Sequence, residues 1–184
     1  AEYPYLVPRL EKAIASMKAS GLLGAGILGR LDFEVEIRFG AGAYVCGEET
    51  ALLDSMEGKR GEPRNKPPYP VNTGYLGCPT IINNVETFVA VPHIILNGAD
   101  WFLALGEGGD SGTKLFSISG DVERPGVYEL AMGSTIGELL DLAGAKDIQA
   151  VQVGGASGRT IRGDETSRVL SFRDLPPGGS VIVF

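Results

Sequence analysis

Gly106 to Thr113 reads GEGGDSGT, four glycines in eight residues, and divides the 184-residue chain into stretches of different texture. So glycine-rich a run behaves as a flexible join rather than as the interior of a helix or strand. Two folding units are therefore expected, residues 1–110 and 113–184. In the second, KLFSISG reads as a strand, DVERPG as a turn and VYELA as a second strand, a hairpin. Ser134 is expected to cap the helix TIGELLDLAG, with Glu138 four residues on and Gly144 as its stop. IQAVQVGG and GGSVIVF complete the pattern as third and fourth strands. The order ββαβ with a late strand is that of a ubiquitin-like β-grasp. Leu115, Ile118, Val127, Leu139, Leu140, Val151, Val153, Val181 and Val183 are the expected core.

The first stretch is richer in helix. Leu6, Leu10, Ile14 and Met17 recur at steps of three and four, which predicts an amphipathic helix from Tyr5 to Ser20. Gly21 to Gly29 reads as a turn-rich linker. Phe33 to Phe39 (FEVEIRF) alternates apolar and charged residues, as a half-buried strand would. Glu48 to Met56 predicts a short helix with Ala51, Leu52 and Met56 inward. Gly58 to Gly77 is expected to be an ordered loop. Thr80 is expected to cap a helix running through NNVETFVAV to Ile95, kinked or broken at Pro92. The opening AEYPYLVPRLEKAI enters a helix with almost nothing before it, as expected of a piece of a longer subunit.

Two glycine clusters invite comparison with a dinucleotide fingerprint, and neither satisfies it. Gly24, Gly26 and Gly29 have the GxGxxG spacing, but they follow a helix and precede a strand, the reverse of what the fingerprint requires. Gly40, Gly42, Tyr44 and Val45 follow an expected strand, yet Val45 stands where the third glycine belongs.

Three other elements carry chemistry. Tyr44-Val-Cys-Gly47-Glu48-Glu49-Thr50 opens a helix with two carboxylates. Carboxylates there stabilise a helix by a few tenths to ~1 kcal/mol through its dipole. They can equally accept hydrogen bonds from ribose hydroxyls, as in other nucleotide sites. Lys59-Arg60-Gly-Glu-Pro-Arg64-Asn-Lys66-Pro-Pro-Tyr69-Pro is a basic loop. Its prolines lower the entropy of holding Tyr69 outward. An aromatic held so can stack on adenine, worth ~1–3 kcal/mol by analogy with base stacking. Asn83 and Asn84 fall where a helix begins, and amide donors there either cap locally or add to an anion site.

The unbroken run GAGAYVCGEETALLDSMEGKRGEPRNKPPYPVNTGYLGCPTIINNVE, Gly40 to Glu86, resembles the flavin- and NADH-binding core of the 51-kDa flavoprotein subunit of complex I. The same core occurs in NAD-linked hydrogenases and formate dehydrogenases. The resemblance covers nearly the whole chain. Its implied fold is α+β / α/β, the C-terminal part of a Rossmann-like FMN/NADH-binding domain followed by a soluble-ligand-binding β-grasp domain. By resemblance, Glu49 contacts the ribose of NADH and disfavours the 2′-phosphate of NADPH. Glu48 lies beside the flavin on the Gly47 turn, and Tyr44 borders the flavin–nicotinamide stack. Tyr69 packs on adenine, where many relatives carry phenylalanine, with Lys66 as the basic partner of the dinucleotide. Asn83 and Asn84 approach the flavin phosphate and ribityl chain. Implied cofactors are FMN and NAD(H), with a 4Fe-4S cluster in the parent subunit. Implied partners are other subunits of an electron-transfer complex, including a 2Fe-2S subunit of the 24-kDa type. The family's upstream GxGGxGFP loop and downstream four-cysteine motif do not occur in these 184 residues. Activity of the isolated piece is therefore not expected. The alternative reading is a non-catalytic docking module of a related electron-transport complex.

Composition agrees. A net charge of −7 argues against nucleic acid or an anionic membrane surface as the main partner. No apolar run approaches the ~20 residues of a membrane span, so no direct membrane insertion is expected. Cys46 and Cys78 form no CxxC and read as small buried packers in a reducing, cytoplasmic compartment, peripheral to a membrane through partner subunits at most. One histidine, His93, and no nucleophile motif leave hydrolase chemistry without support. No residue need act as acid or base, because the cofactors carry hydride transfer.

Overall fold

Helix α1 spans Val7–Ala19 and ends where glycine allows the chain to turn left-handed. Gly21 has φ 69°, its amide donates to Lys18 O, and the Leu22 amide donates to Met17 O. That paired closure is a Schellman motif. These features belong to a computed structural model that describes residues 3–107 and 109–184. The chain divides into two compact units, Ala1–Asn84 and Val85–Phe184.

In the first unit, the expected linker at Gly21–Gly29 instead contains strand β1 (Gly24–Ile27), paired antiparallel with β2 (Leu31–Phe33). Leu28 and Gly29, both at positive φ, make the turn. The expected strand at Phe33–Phe39 is therefore displaced upstream, and Glu34–Phe39 forms no regular element. A strand needs a neighbour to receive its backbone hydrogen bonds, and the glycine-rich segment supplies one only as far as Phe33. The Gly24–Gly29 spacing thus builds a hairpin. A 3-10 turn, Tyr44–Gly47, leads into α2, Glu49–Met56. Helix α2 buries Thr50, Ala51 and Leu53, with Leu52 and Met56 half-buried, so Leu53 takes the place expected of Leu52.

The second unit begins with α3, Val85–Asn97, which continues through Pro92; the break falls at Gly98, before α4, Ala99–Ala104. Thr80 does not cap α3. Its hydroxyl accepts from the Tyr75 amide at 2.8 Å and donates to Cys78 O at 2.9 Å, closing a turn in the first unit. The expected linker includes Gly108, which lies outside the described residues.

Beyond it, β3 (Thr113–Gly120), β4 (Gly126–Ala131), α5 (Ile136–Ala143), β5 (Ala150–Val153), β6 (Arg159–Arg162) and β7 (Ser180–Val183) form a sheet of order β4-β3-β7-β5-β6 with one helix. β3 and β7 are parallel and the other neighbours antiparallel. Phe116, Ile118, Ile136, Leu139, Leu140, Val151, Val153, Leu170, Leu175, Val181 and Val183 close the core. Leu115 and Val127, expected inside, are 51% and 64% exposed. Side chains alternate along a strand, and in β3 the inward parity belongs to Phe116 and Ile118. The cap of α5 is Thr135 rather than Ser134. Its hydroxyl accepts from the Glu138 amide while the Glu138 carboxylate accepts from the Thr135 amide. That reciprocal box needs the acid three residues past the cap. Gly144, at φ 70°, ends the helix as expected. β6 gives little sign of itself in the sequence because only Ile161 of its four residues is buried.

Candidate functional site

Glu48 caps α2 with its own side chain. One carboxylate oxygen accepts from the Thr50 and Ala51 amides, each at 2.9 Å, and from the Thr50 hydroxyl at 2.5 Å. These bonds, the Thr50 hydroxyl foremost, hold the Glu48 carboxyl at about 2, far below its ordinary value. The helix start is thereby closed to a phosphate, because two of its amides are taken and a fixed negative charge sits on the axis. Uncharged hydroxyls remain acceptable ligands for the carboxylate's other oxygen.

The basic loop folds back onto this helix. The Arg64 amide donates to Thr50 Oγ1 at 2.8 Å, so the buried hydroxyl donates to Glu48 and accepts from the loop at once. The Arg64 guanidinium binds Asp54 through Nε and Nη2 and reaches Glu57 at 3.4 Å. Its pKa is raised, chiefly by the Asp54 bond. Lys66 pairs closely with Glu49 and lies 3.4 Å from Glu48. Glu49 raises the pKa of Lys66 most. Glu57, with only 5% of its side chain exposed, accepts from Lys59 at 2.5 Å and from the Leu76 amide at 2.9 Å. Its carboxyl is lowered to about 2, first by Lys59.

Behind Lys66 come two cis peptide bonds, Lys66–Pro67 and Pro67–Pro68, and then Tyr69, whose carbonyl accepts from the Asn72 and Thr73 amides. Thr80 N donates to Pro70 O at 2.9 Å and Gly74 N to Cys78 O at 2.8 Å, tying the approach to Asn83 into the turn after Tyr69. A Cβ at Gly74 would stand 2.4 Å from Thr80, so only glycine fits this knot.

The structure brings Glu48, Glu49 and Lys66 into direct contact, with Gly47 and Tyr44 in the adjoining turn. Tyr44 is fully exposed and Tyr69 is 53% exposed, so both rings are open to stacking. Asn83 and Asn84 immediately precede α3 rather than occupying its first turn. Cys46 is buried as expected and Cys78 is exposed, against expectation. Thr50, Asp54, Glu57 and Arg64 were not anticipated as parts of the site. The one available signal was the pairing of acidic α2 residues with the basic loop that follows.

A buried hydroxyl thus bridges a helix cap to a proline-stiffened loop, with exposed aromatics and half-exposed carboxylates nearby, in a chain that also carries a β-grasp module. Residues 1–93 match the Nuo51 FMN-binding domain and residues 115–184 match the SLBB domain. The chain belongs to the Nuo51 FMN-binding family. It is 48% identical, over its whole length, to NAD-reducing hydrogenase HoxS subunit alpha of Cupriavidus necator, covering 31% of that protein. It is 46% identical to NADP-reducing hydrogenase subunit HndC of Solidesulfovibrio fructosivorans, with 99% of the chain and 38% of the relative covered. The same identity holds with a subunit of the NADH-quinone oxidoreductase of Rhizobium meliloti, at 98% and 44% coverage. A crystal structure of NAD+-reducing [NiFe]-hydrogenase in the H2-reduced state superposes with TM-score 0.88 at 48% identity, over 100% of this chain and 31% of that one. The chain thus spans under half the length of these curated relatives. No helix among the described residues is long and apolar enough to cross a membrane.

Proposed function

We propose that this chain is the part of an NADH dehydrogenase flavoprotein subunit that helps to hold NADH and FMN, in a polypeptide passing electrons from NADH through FMN to iron–sulfur clusters. The observation that carries this is the cluster of Glu48 and Glu49 at the start of α2 with Lys66 of the basic loop, in a chain of the FMN-binding family. When bound, FMN supplies the hydride acceptor and the route for single electrons. The residues here position and select. Glu49 accepts from ribose hydroxyls, Tyr69 stacks on adenine, and Tyr44 borders the nicotinamide. Glu48 and the Gly47 turn face the flavin, while Asn83 and Asn84 supply amide donors to its phosphate and ribityl chain. The site residues fit dinucleotide and flavin, since the Tyr44 and Tyr69 rings are exposed and the Glu48 and Glu49 carboxylates are half-exposed beside Lys66. The 4Fe-4S cluster would be held elsewhere in the parent polypeptide, and a 2Fe-2S subunit of the 24-kDa type would be among its partners. The compartment fitting that assembly is cytoplasmic, and the domain division proposed is 1–110 and 113–184.

Relatives named for NAD and for NADP reduction are about equally similar to this chain, so overall similarity does not decide the nucleotide. Charge at residue 49 does. Lys66 is held by Glu49, and removing the carboxylate would leave an ammonium facing the ribose, attractive to a 2′-phosphate. In the full-length protein, Glu49→Gln should therefore lower the NADH/NADPH ratio of kcat/KM by at least about tenfold. An unchanged ratio would remove Glu49 from the ribose site.

A further inference from the structure

The β-grasp unit presents an open strand edge beside an acid-rimmed groove. Among the described residues, β4 is the terminal strand of its sheet and pairs only with β3. The Met132 amide donates to Gly112 O just beyond the register pair Thr113–Ala131, and this sets the phase of the ladder. In an antiparallel pair, bonded and non-bonded positions alternate. Gly126, Tyr128 and Leu130 therefore bond toward β3, while the N–H and C=O groups of Val127 and Glu129 point to the open edge. Such a row of groups is a template for another strand. The opposite edge is protected differently, since β6 carries Arg159 and Arg162 in four residues.

Alongside β4, Arg124, Leu130, Glu138, Asp141 and Leu142 line a groove of about 690 Å³. Its floor is apolar, with Leu130 from β4 and the 46% exposed Leu142 from α5. The Arg124 guanidinium donates to the Leu142 and Asp141 carbonyls at the end of α5, lies 3.7 Å from Glu123, and keeps its charge on the groove wall. The carboxylates of Glu138 and Asp141 outnumber that one cation on the rim, while Glu129, on the other face of the strand, accepts from the Thr113 hydroxyl.

We propose that this edge binds an extended segment of a partner polypeptide by strand addition, with an apolar side chain in the groove and basic residues two positions to either side on the same face. Backbone bonds to Val127 and Glu129 supply attachment, the Leu130–Leu142 floor selects apolar residues, and the acidic rim selects lysine or arginine. The partner's charge follows from the rim.

The test uses the whole 184-residue chain and three blocked pentapeptides, each with valine in the centre and threonine second and fourth, so that the end residues share the valine's face. One has lysine at both ends, one has glutamate at both ends, and one replaces the second threonine of the lysine peptide by proline. Amide NMR shifts should move at residues 126–131 and 138–142 with the lysine peptide, at an affinity at least about tenfold above the glutamate peptide at low salt. The proline peptide, lacking a donor, should bind more weakly. Val127→Pro removes an outward N–H without touching the β3 ladder and should abolish the shifts. Asp141→Lys should reverse the charge preference, and it tests the rim even if the proline variant fails to fold. Equal binding of the lysine and glutamate peptides, shifts confined to other residues, or concentration-dependent self-association at 127–129 without peptide would each overturn the proposal.

Discussion

Replacing the Thr50 hydroxyl by a methyl group, Thr50→Val, would cut two bonds at once. The Glu48 carboxylate loses its nearest donor, and the Arg64 amide loses its acceptor. Thr50 is 1% exposed, so water does not restore either bond readily, and a loss of about 1–3 kcal/mol is expected. The pH dependence gives a more specific reading. Glu48 titrates at about 2 in the folded chain against 4.5 ordinarily. A lowered carboxyl contributes stability that is present above the ordinary value and is lost as the pH falls toward 2. Thermal melts of the wild-type chain should therefore weaken across that window, and Thr50→Val should flatten the fall in part, leaving the shares of the other lowered carboxyls, Glu57, Glu86, Glu123, Glu165 and Asp174. An identical acid profile in the variant would show that Thr50 does not set the Glu48 carboxyl. The glutamates were legible in the sequence as a helix start. Thr50 was not, because its role depends on Arg64 arriving fourteen residues later.

Among the elements, α5 shows how far a local signal reaches. Gly144 and the helix period were readable, but the cap was misplaced by one residue because Ser134 and Thr135 are both good capping types. The partner acid Glu138 decides between them, being three residues past Thr135. Thr135→Ala should cost about 0.5–2 kcal/mol. In a unit of this size that lowers Tm by roughly 4–8 °C per kcal/mol, measurable from β-grasp amide signals on heating. Ser134→Ala should do much less, and the reverse order of effects would contradict the assignment. The strand misread at Phe33–Phe39 failed for a different reason. Alternation describes which side chains could share a face, but pairing requires a neighbouring backbone, and that lies outside any single segment.

At the scale of the whole molecule, the β-grasp was readable because its core closes within about seventy consecutive residues, from Phe116 to Val183. The first unit was less so. Much of its apolar surface is exposed, including Leu10, Leu31, Phe33 and Phe39, and its expected strand stands unpaired beyond Phe33. The site residues on α2 and the basic loop could be named from resemblance, while the mesh of Arg64, Asp54 and Glu57 that fixes them came only from the fold. The central claim is that this surface serves an NADH- and FMN-binding polypeptide. Anaerobic titration of the full-length gene product with NADH, followed by the visible absorbance of bound FMN, tests it most directly. The account predicts stoichiometric bleaching of the flavin by NADH, weakened when Glu49 is replaced by glutamine. A full-length protein that carries no flavin, or whose flavin NADH does not bleach, would contradict it.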